Sequence, residues 1–192
     1  MSREDFLRWE ARWRARSHDL SQPEPFLIRH LPLLRPGRVL DVACGAGRNA
    51  LALAARGFRV TALDIAPSAL ALLRHRAREF GARIAVREGD LDDPAALRGL
   101  AGFDDLLVIR YKPSRPQWLR LLDCLRPGGR LVLCSFALED HLLGGARRER
   151  CLVRAELAEL FAGRLRLLVW EAFAQDGRQL AGSVWEKEDV RG

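Results

Sequence analysis

Asp41, Asp64 and Asp90 each follow a short apolar run, and the first stands four residues ahead of the pair Gly45-Ala46-Gly47. Arg38-Val39-Leu40-Asp41 reads as a strand ending in an acid, and Gly45-Ala46-Gly47-Arg48-Asn49-Ala50 fits G-x-G-x-x-A ahead of a helical pattern. Glycines there let the backbone turn tightly and let a ligand approach the main chain with no Cβ in the way. The unpaired N–H groups of the following helix then face that ligand. This is the chemistry of a nucleotide-type cofactor loop.

The glycine pattern alone also suits a dinucleotide. Asp41 argues against one, because a carboxylate beside a pyrophosphate is a like-charge contact. A ligand with an α-ammonium and a sulfonium, S-adenosylmethionine, suits an anion at that place. Asp64 ends a second strand 23 residues after Asp41, where its carboxylate can accept both ribose hydroxyls. Gly89-Asp90-Leu91 follows a third strand. A carboxylate there can accept the exocyclic amine of adenine, with Leu91 packed on the ring. Any one of these acids has a plain explanation as a cap or turn former. Three at the carboxyl ends of three successive strands lie where open α/β sheets bind ligands.

The elements that must position them follow from periodicity. Residues 2–16 read as a helix, with Ser2 and Asp5 as a capping box and Phe6, Trp9 and Trp13 on one face. Gln22-Pro23-Glu24-Pro25 breaks it, and a second helix runs from near Pro25 to just before Pro36-Gly37. Strands are expected at 39–41, 59–64, 83–87, 106–109 and 130–136, with helices at 49–56, 67–80, 94–100 and 116–125 between them. That alternation means a parallel sheet covered on both faces. A loop around 139–151, a helix near 154–162 and two runs at 164–173 and 178–187 close the chain, the last two as an antiparallel hairpin about Asp176-Gly177.

With these motifs in place, the chain resembles a class I S-adenosylmethionine-dependent methyltransferase from about Arg38 to Phe136. Trp9 to Phe26 followed by Leu40-Asp41-Val42-Ala43-Cys44-Gly45-Ala46-Gly47-Arg48-Asn49 resembles, more narrowly, the small bacterial tellurite-resistance and thiopurine-type enzymes. The resemblance implies one Rossmann-like, doubly wound α/β domain over 1–192, its mostly parallel seven-stranded sheet ending in the hairpin. Residues 1–36 would form a helical lid, 37–136 the cofactor core and 137–192 the closing helix and hairpin. It further implies that Asp41, Ala43, Gly45, Gly47 and Asn49 surround the methionine part. Asp64 and Ile65 would hold the ribose and flank adenine, and Asp90 and Leu91 would bind the base. Arg110 would touch the cofactor or the acceptor, and Trp9, Trp13 and Arg16 would cover the cleft.

Methyl transfer is an in-line displacement at an activated sulfonium, so the protein chiefly aligns the acceptor and excludes water. A thiol or soft anion needs no dedicated base, whereas a hydroxyl or ammonium needs one. The chain shows no obvious catalytic dyad. Arg110, Tyr111 and Lys112 stand where the acceptor pocket should open, and Arg110 can neutralise an acidic substrate. His141, in the loop after the fifth strand, is placed for a general base; His18, His30 and His75 read as surface or packing residues. Tyr111-Lys112-Pro113 replaces the Asn/Asp-Pro-Pro-aromatic signature of amino-group enzymes, and no Pro-Cys pair supports a covalent cysteine mechanism.

Composition fits an ordinary globular domain of 192 residues, 48% hydrophobic and 30% charged. No run approaches the ~20 apolar residues of a membrane span. The four cysteines form no C-x-x-C pair or metal cluster, so no metal site is expected and they read as reduced cytoplasmic thiols. The net charge of +7 invites a nucleic-acid reading, yet thirty of the 32 basic residues are arginines spread along the whole chain. A small-molecule acceptor is therefore favoured, with methylation of RNA or another macromolecule as the alternative. A cofactor-binding protein without turnover is the reading from another class. The oligomeric state is not legible.

Overall fold

The structure is a computed structural model that describes residues 3–15 and 22–189. Helix α1 is Arg3–Arg14. The expected cap at Ser2, and Arg16 and His18 beyond the helix, lie outside the described residues. Helix α2, Pro25–His30, is shorter than expected because Pro32 tightens the chain into a single 3₁₀ turn over Leu31–Leu33.

The α/β alternation then follows: β1 Arg38–Val42, α3 Arg48–Ala54, β2 Arg59–Asp64, α4 Pro67–Glu79, β3 Ile84–Glu88, β4 Phe103–Ile109 and α5 Arg115–Cys124. The expected helix at 94–100 is only a 3₁₀ turn, Pro94–Leu97. Strand β5 runs continuously from Leu125 to Ala137 and takes in the expected Pro127-Gly128-Gly129 turn as a register shift against β4. The supposed loop after it holds a one-turn helix, α6 Leu138–Leu142, and a two-residue strand, β6 Cys151–Leu152. Among the described residues the sheet thus has eight strands where seven were expected. Helix α7 is Arg154–Phe161, and β7 Leu165–Gln175 with β8 Arg178–Lys187 form the hairpin.

The strand order is β3-β2-β1-β4-β5-β8-β7, with β6 beside β5. All pairings are parallel except those of β8 with β5 and with β7. The pleat sends alternate side chains to opposite faces. Leu40, Val42, Leu106 and Val108 join Trp118 of α5 and Phe161 of α7 in one core. Val39, Leu107, Ile109 and Val132 join α2, α3 and α4 in the other. Burial on both faces is why these strands read as unbroken apolar runs. The order reverses at β1 and β4, and the carboxyl ends of those two strands open into the site.

Candidate cofactor and acceptor site

A cleft of about 810 Å³ lies at the carboxyl ends of β1, β2, β4 and β5, between α1 and the tip of the β7–β8 hairpin. The loop leaving β1 builds its floor. Ala43, Gly45 and Gly47 all sit in the left-handed region, with φ of 54°, 55° and 79°. Ala43 carries the strain that a Cβ brings there, a feature concentrated at functional sites. A Cβ on Gly45 would come within 2.5 Å of the Trp13 ring, and one on Gly47 within 2.2 Å of Leu73. Only glycine lets the lid and α4 close on this backbone.

Asp41 is 1% exposed and pairs across the sheet with Ala62 and Leu107. Its Oδ2 is buried in the cleft wall without a hydrogen-bond partner. Burial, and next the nearby Asp64, push its carboxyl up to about 7, against the pull of Arg48. A lone buried carboxylate oxygen beside a glycine loop fits a cationic ligand group such as an α-ammonium. Asp64 is engaged differently. Its Oδ2 accepts the Gly45 N–H at 2.7 Å and its Oδ1 the Ala66 N–H at 2.9 Å. Burial raises its pKa in spite of these bonds. Each oxygen retains a second lone pair for a ligand hydroxyl.

Ala43, Ile65 and Leu91 reach the cleft, as does Gly89, but Asp90 is not among the lining residues. The Asp90 Oδ1 accepts the Asp92 N–H at 2.9 Å and shapes its own turn. Asn49 lines the cleft, while its side-chain oxygen accepts the Glu24 N–H at 2.9 Å and ties α3 to the linker before α2. That linker holds a residue sequence reasoning missed. Glu24 is 0% exposed, and its Oε2 accepts both Arg48 Nη2 at 3.0 Å and Arg110 Nε at 3.1 Å. The only signal for it was an acid between two prolines, which reads as an exposed turn.

The lid expectation finds α1 lying over the cleft, with Trp9 and Trp13 in its wall. Glu10, 8% exposed, docks the helix by accepting the Ser68 N–H at the start of α4 at 3.1 Å, and within α1 it also accepts Arg14 Nε at 3.0 Å. Across the cleft stand Arg110, Tyr111, Phe136, Arg150, Gln175 and Asp176. The Tyr111 hydroxyl donates to Gln117 Oε1 at 3.0 Å, within the cap of α5. Lys112 lies off the wall, its Nζ on Cys151 O at 2.7 Å. His141 also lies off it, at an exposed position of α6, with Nδ1 3.0 Å from Ala146 O. The hairpin tip, expected only as a turn, supplies Gln175 and Asp176 to the wall. No periodicity marks a turn residue as one that returns to the far end of the sheet.

Residues 39–129 match the family model described as a methyltransferase domain. The core of this chain is thus similar to a methyltransferase domain, and its fold is that of the class I S-adenosylmethionine-dependent enzymes. The Xylella fastidiosa ubiquinone biosynthesis O-methyltransferase is 34% identical over 114 residues, 57% of this chain and 46% of that protein. The chain thus spans about half the length of the curated relatives it matches. Among solved structures, the Burkholderia thailandensis 1,6-didemethyltoxoflavin-N1-methyltransferase, with bound 1,6-didemethyltoxoflavin and S-adenosylhomocysteine, superposes with a TM-score of 0.71 at 23% identity. The match covers 97% of this chain and 87% of that one. TehB from Haemophilus influenzae superposes with a TM-score of 0.69 at 16% identity, over 86% of this chain and 62% of that one. At these identities the structural likenesses speak for the fold. Among the described residues no helix of this domain is long and apolar enough to cross a membrane.

Proposed function

We propose that this protein transfers the methyl group of S-adenosylmethionine to a small-molecule acceptor. The carrying observation is the partnerless, buried Asp41 Oδ2 at the head of the Gly45–Gly47 loop, in a cleft that Asp64 also faces. When bound, S-adenosylmethionine supplies a methyl group already activated on a sulfonium. Asp41 would accept from the ammonium, and the loop's open backbone would lie along the methionine part. Asp64 would add a ribose hydroxyl to the N–H groups it already holds, and Ile65 and Leu91 would sandwich the base. Asp90 supports this pocket by fixing the turn from which Leu91 projects.

Trp9 and Trp13 would exclude water from the reacting pair, which strengthens every charge contact inside. The acceptor would enter between Tyr111, Phe136 and the hairpin tip. A thiolate or other soft anion there needs no proton acceptor; for a hydroxyl, the carboxylate that lines that wall is Asp176, whereas His141 lies off it. The names of the sequence relatives favour a small hydroxyl-bearing molecule over RNA. The four cysteines are all free thiols, which supports a cytoplasmic setting.

The test is calorimetry followed by label transfer. S-adenosylmethionine should bind one to one, with affinity lost in Asp41→Ala. Tritium from labelled cofactor should pass into the low-molecular-weight fraction of a bacterial extract. Absence of binding, or label confined to RNA or protein, overturns the proposal.

A further inference from the structure

Arg110 is anchored at one end of its guanidinium only. Nε donates to Glu24 Oε2 at 3.1 Å and the group lies 5.6 Å from the centre of the Phe136 ring. Its two terminal nitrogens have no hydrogen-bond acceptor among the described residues, and the side chain is 27% exposed in the cleft wall. The backbone pays for this placement. Arg110 has φ 59°, in the left-handed region, locked by its N–H on Cys134 O.

The charge balance points the same way. The single Glu24 carboxylate faces two guanidiniums, those of Arg48 and Arg110, so the trio keeps a positive charge. Arg12 of α1 and Arg150 of the opposite wall, the one that carries Arg110, flank the Trp9 ring, 5.3 and 5.8 Å from its centre. Asp176 is the one acid among the lining residues on that side. Trp9, Tyr111 and Phe136 supply flat apolar faces beside these cations. A guanidinium fork with both terminal donors open matches a planar carboxylate or a similar oxyanion bidentately.

We propose that Arg110 is the specificity anchor of the acceptor subsite, and that the natural acceptor is a flat small molecule carrying an anionic group. Glu24 is the positioning residue that turns the open side of the Arg110 fork into the cleft. The inference rests on the methyl-transfer reading and names the acceptor class for that site.

The experiment uses the full chain saturated with S-adenosylhomocysteine and a matched pair of probes, 3,4-dihydroxybenzoate and its neutral amide. Calorimetry of the wild type should show the acid bound about tenfold or more tightly than the amide. That preference should shrink to about twofold in Arg110→Gln and to an intermediate value in Arg110→Lys, which keeps charge and loses the fork. Glu24→Gln should weaken the preference with the fork still present, and S-adenosylhomocysteine affinity should stay within about twofold throughout. Equal affinity of wild type for acid and amide overturns the proposal. So does an Arg110→Gln variant that keeps the acid preference, or one that loses cofactor affinity instead, which would assign Arg110 to the cofactor carboxylate. Failure of the wild type to bind S-adenosylhomocysteine would sink the methyl-transfer reading itself, and this inference with it.

Discussion

Asp64 Oδ2 accepts the Gly45 backbone N–H at 2.7 Å, and this bond ties the end of β2 to the loop that leaves β1. The acid that would hold the ribose is therefore also a structural member of the glycine loop. Its second oxygen fixes the start of α4 through Ala66 N–H at 2.9 Å. Loop shape and ligand binding are coupled through a single side chain.

Asp64→Ala should lower both stability and cofactor affinity. It leaves two inward-facing N–H groups without acceptors, a loss of about 1–3 kcal/mol for each that stays buried. Urea unfolding reads that loss. Calorimetry should show S-adenosylmethionine binding weakened by about tenfold or more, beyond what partial unfolding explains. A variant that is destabilised yet binds normally would confine Asp64 to the loop.

Cofactor affinity should rise with pH across neutrality. The Asp41 carboxyl is pushed up to about 7 by burial and then by Asp64, so the free protein carries it protonated below that pH. Binding a cation favours the ionised form, so below pH 7 a proton must leave on binding. Affinity should climb about tenfold per pH unit up to near 7 and then level off. Titrations in two buffers of different ionisation enthalpy should count up to one proton released at pH 6. Asp41→Asn should bind weakly with a flat profile.

A second buried carboxyl, far from the cleft, predicts a pH effect on stability alone. Asp105 at the start of β4 is 1% exposed, and its Oδ2 has no partner. Burial and then Asp104 push it up to about 7, opposed by Arg130 and Arg126. The fold then holds a proton that the unfolded chain releases near pH 4, so this contribution to stability is present at low pH and is lost as pH rises from about 4 to 7. Asp41 adds to the same slope. Asp64, also raised by burial, contributes with the same sign, so Asp105→Asn should flatten part of the decline, read as the urea midpoint at pH 5 and pH 8, and should leave methyl transfer unchanged.

Much of this was legible beforehand because it is local. Asp41, Gly45, Gly47 and Asp64 lie within one β-loop-α-β stretch, where strand ends and glycines fix each other's place. Arg59–Asp64 and the start of α4 at Pro67 match the sequence reading residue for residue. What escaped is non-local. Glu24 meets Arg110 across 86 residues, and Asp176 reaches the cleft only because β8 runs antiparallel beside β5. The unexpected strand, β6, is two residues long, stabilised by pairing with the end of β5 and carrying no periodicity of its own. His141 followed β5 as expected, but its one-turn helix carries it away from the cleft.

Asp140→Ala should be among the most damaging single changes in the C-terminal half. Its carboxylate is 4% exposed and takes Arg178 Nε and Nη2 at 2.9 and 2.6 Å, with Ala146 N–H at 2.7 Å and Gln179 N–H at 3.0 Å. Those bonds, led by Arg178, hold it well below the usual carboxylate range. A depressed acid stabilises above its unfolded pKa and fails only in strong acid, so the loss should be constant from pH 5 to 9, unlike that of Asp105. Arg178 is itself partly exposed, so the cost comes chiefly from the two backbone N–H groups left without an acceptor, about 1–3 kcal/mol for each that stays buried. Urea unfolding at the two pH values checks both size and flatness.

Glu10 should control how long the cofactor stays. Helix α1 meets α4 through Glu10 and the Ser68 N–H, while Trp13 closes over Gly45. Burial works to raise the Glu10 carboxyl, but the bonds from Ser68 and Arg14 bring it below its ordinary value. The docking contact is therefore intact across the neutral range and is lost only as pH falls below that of an ordinary glutamate. Glu10→Ala removes the contact without touching the glycine loop or either core. Global stability should change by no more than about 1 kcal/mol, because α1 adds little to the buried sheet. Stopped-flow tryptophan fluorescence, with Trp9 and Trp13 as reporters, should show S-adenosylhomocysteine leaving about tenfold faster. An unchanged release rate would mean that α1 lies over the cleft without gating it.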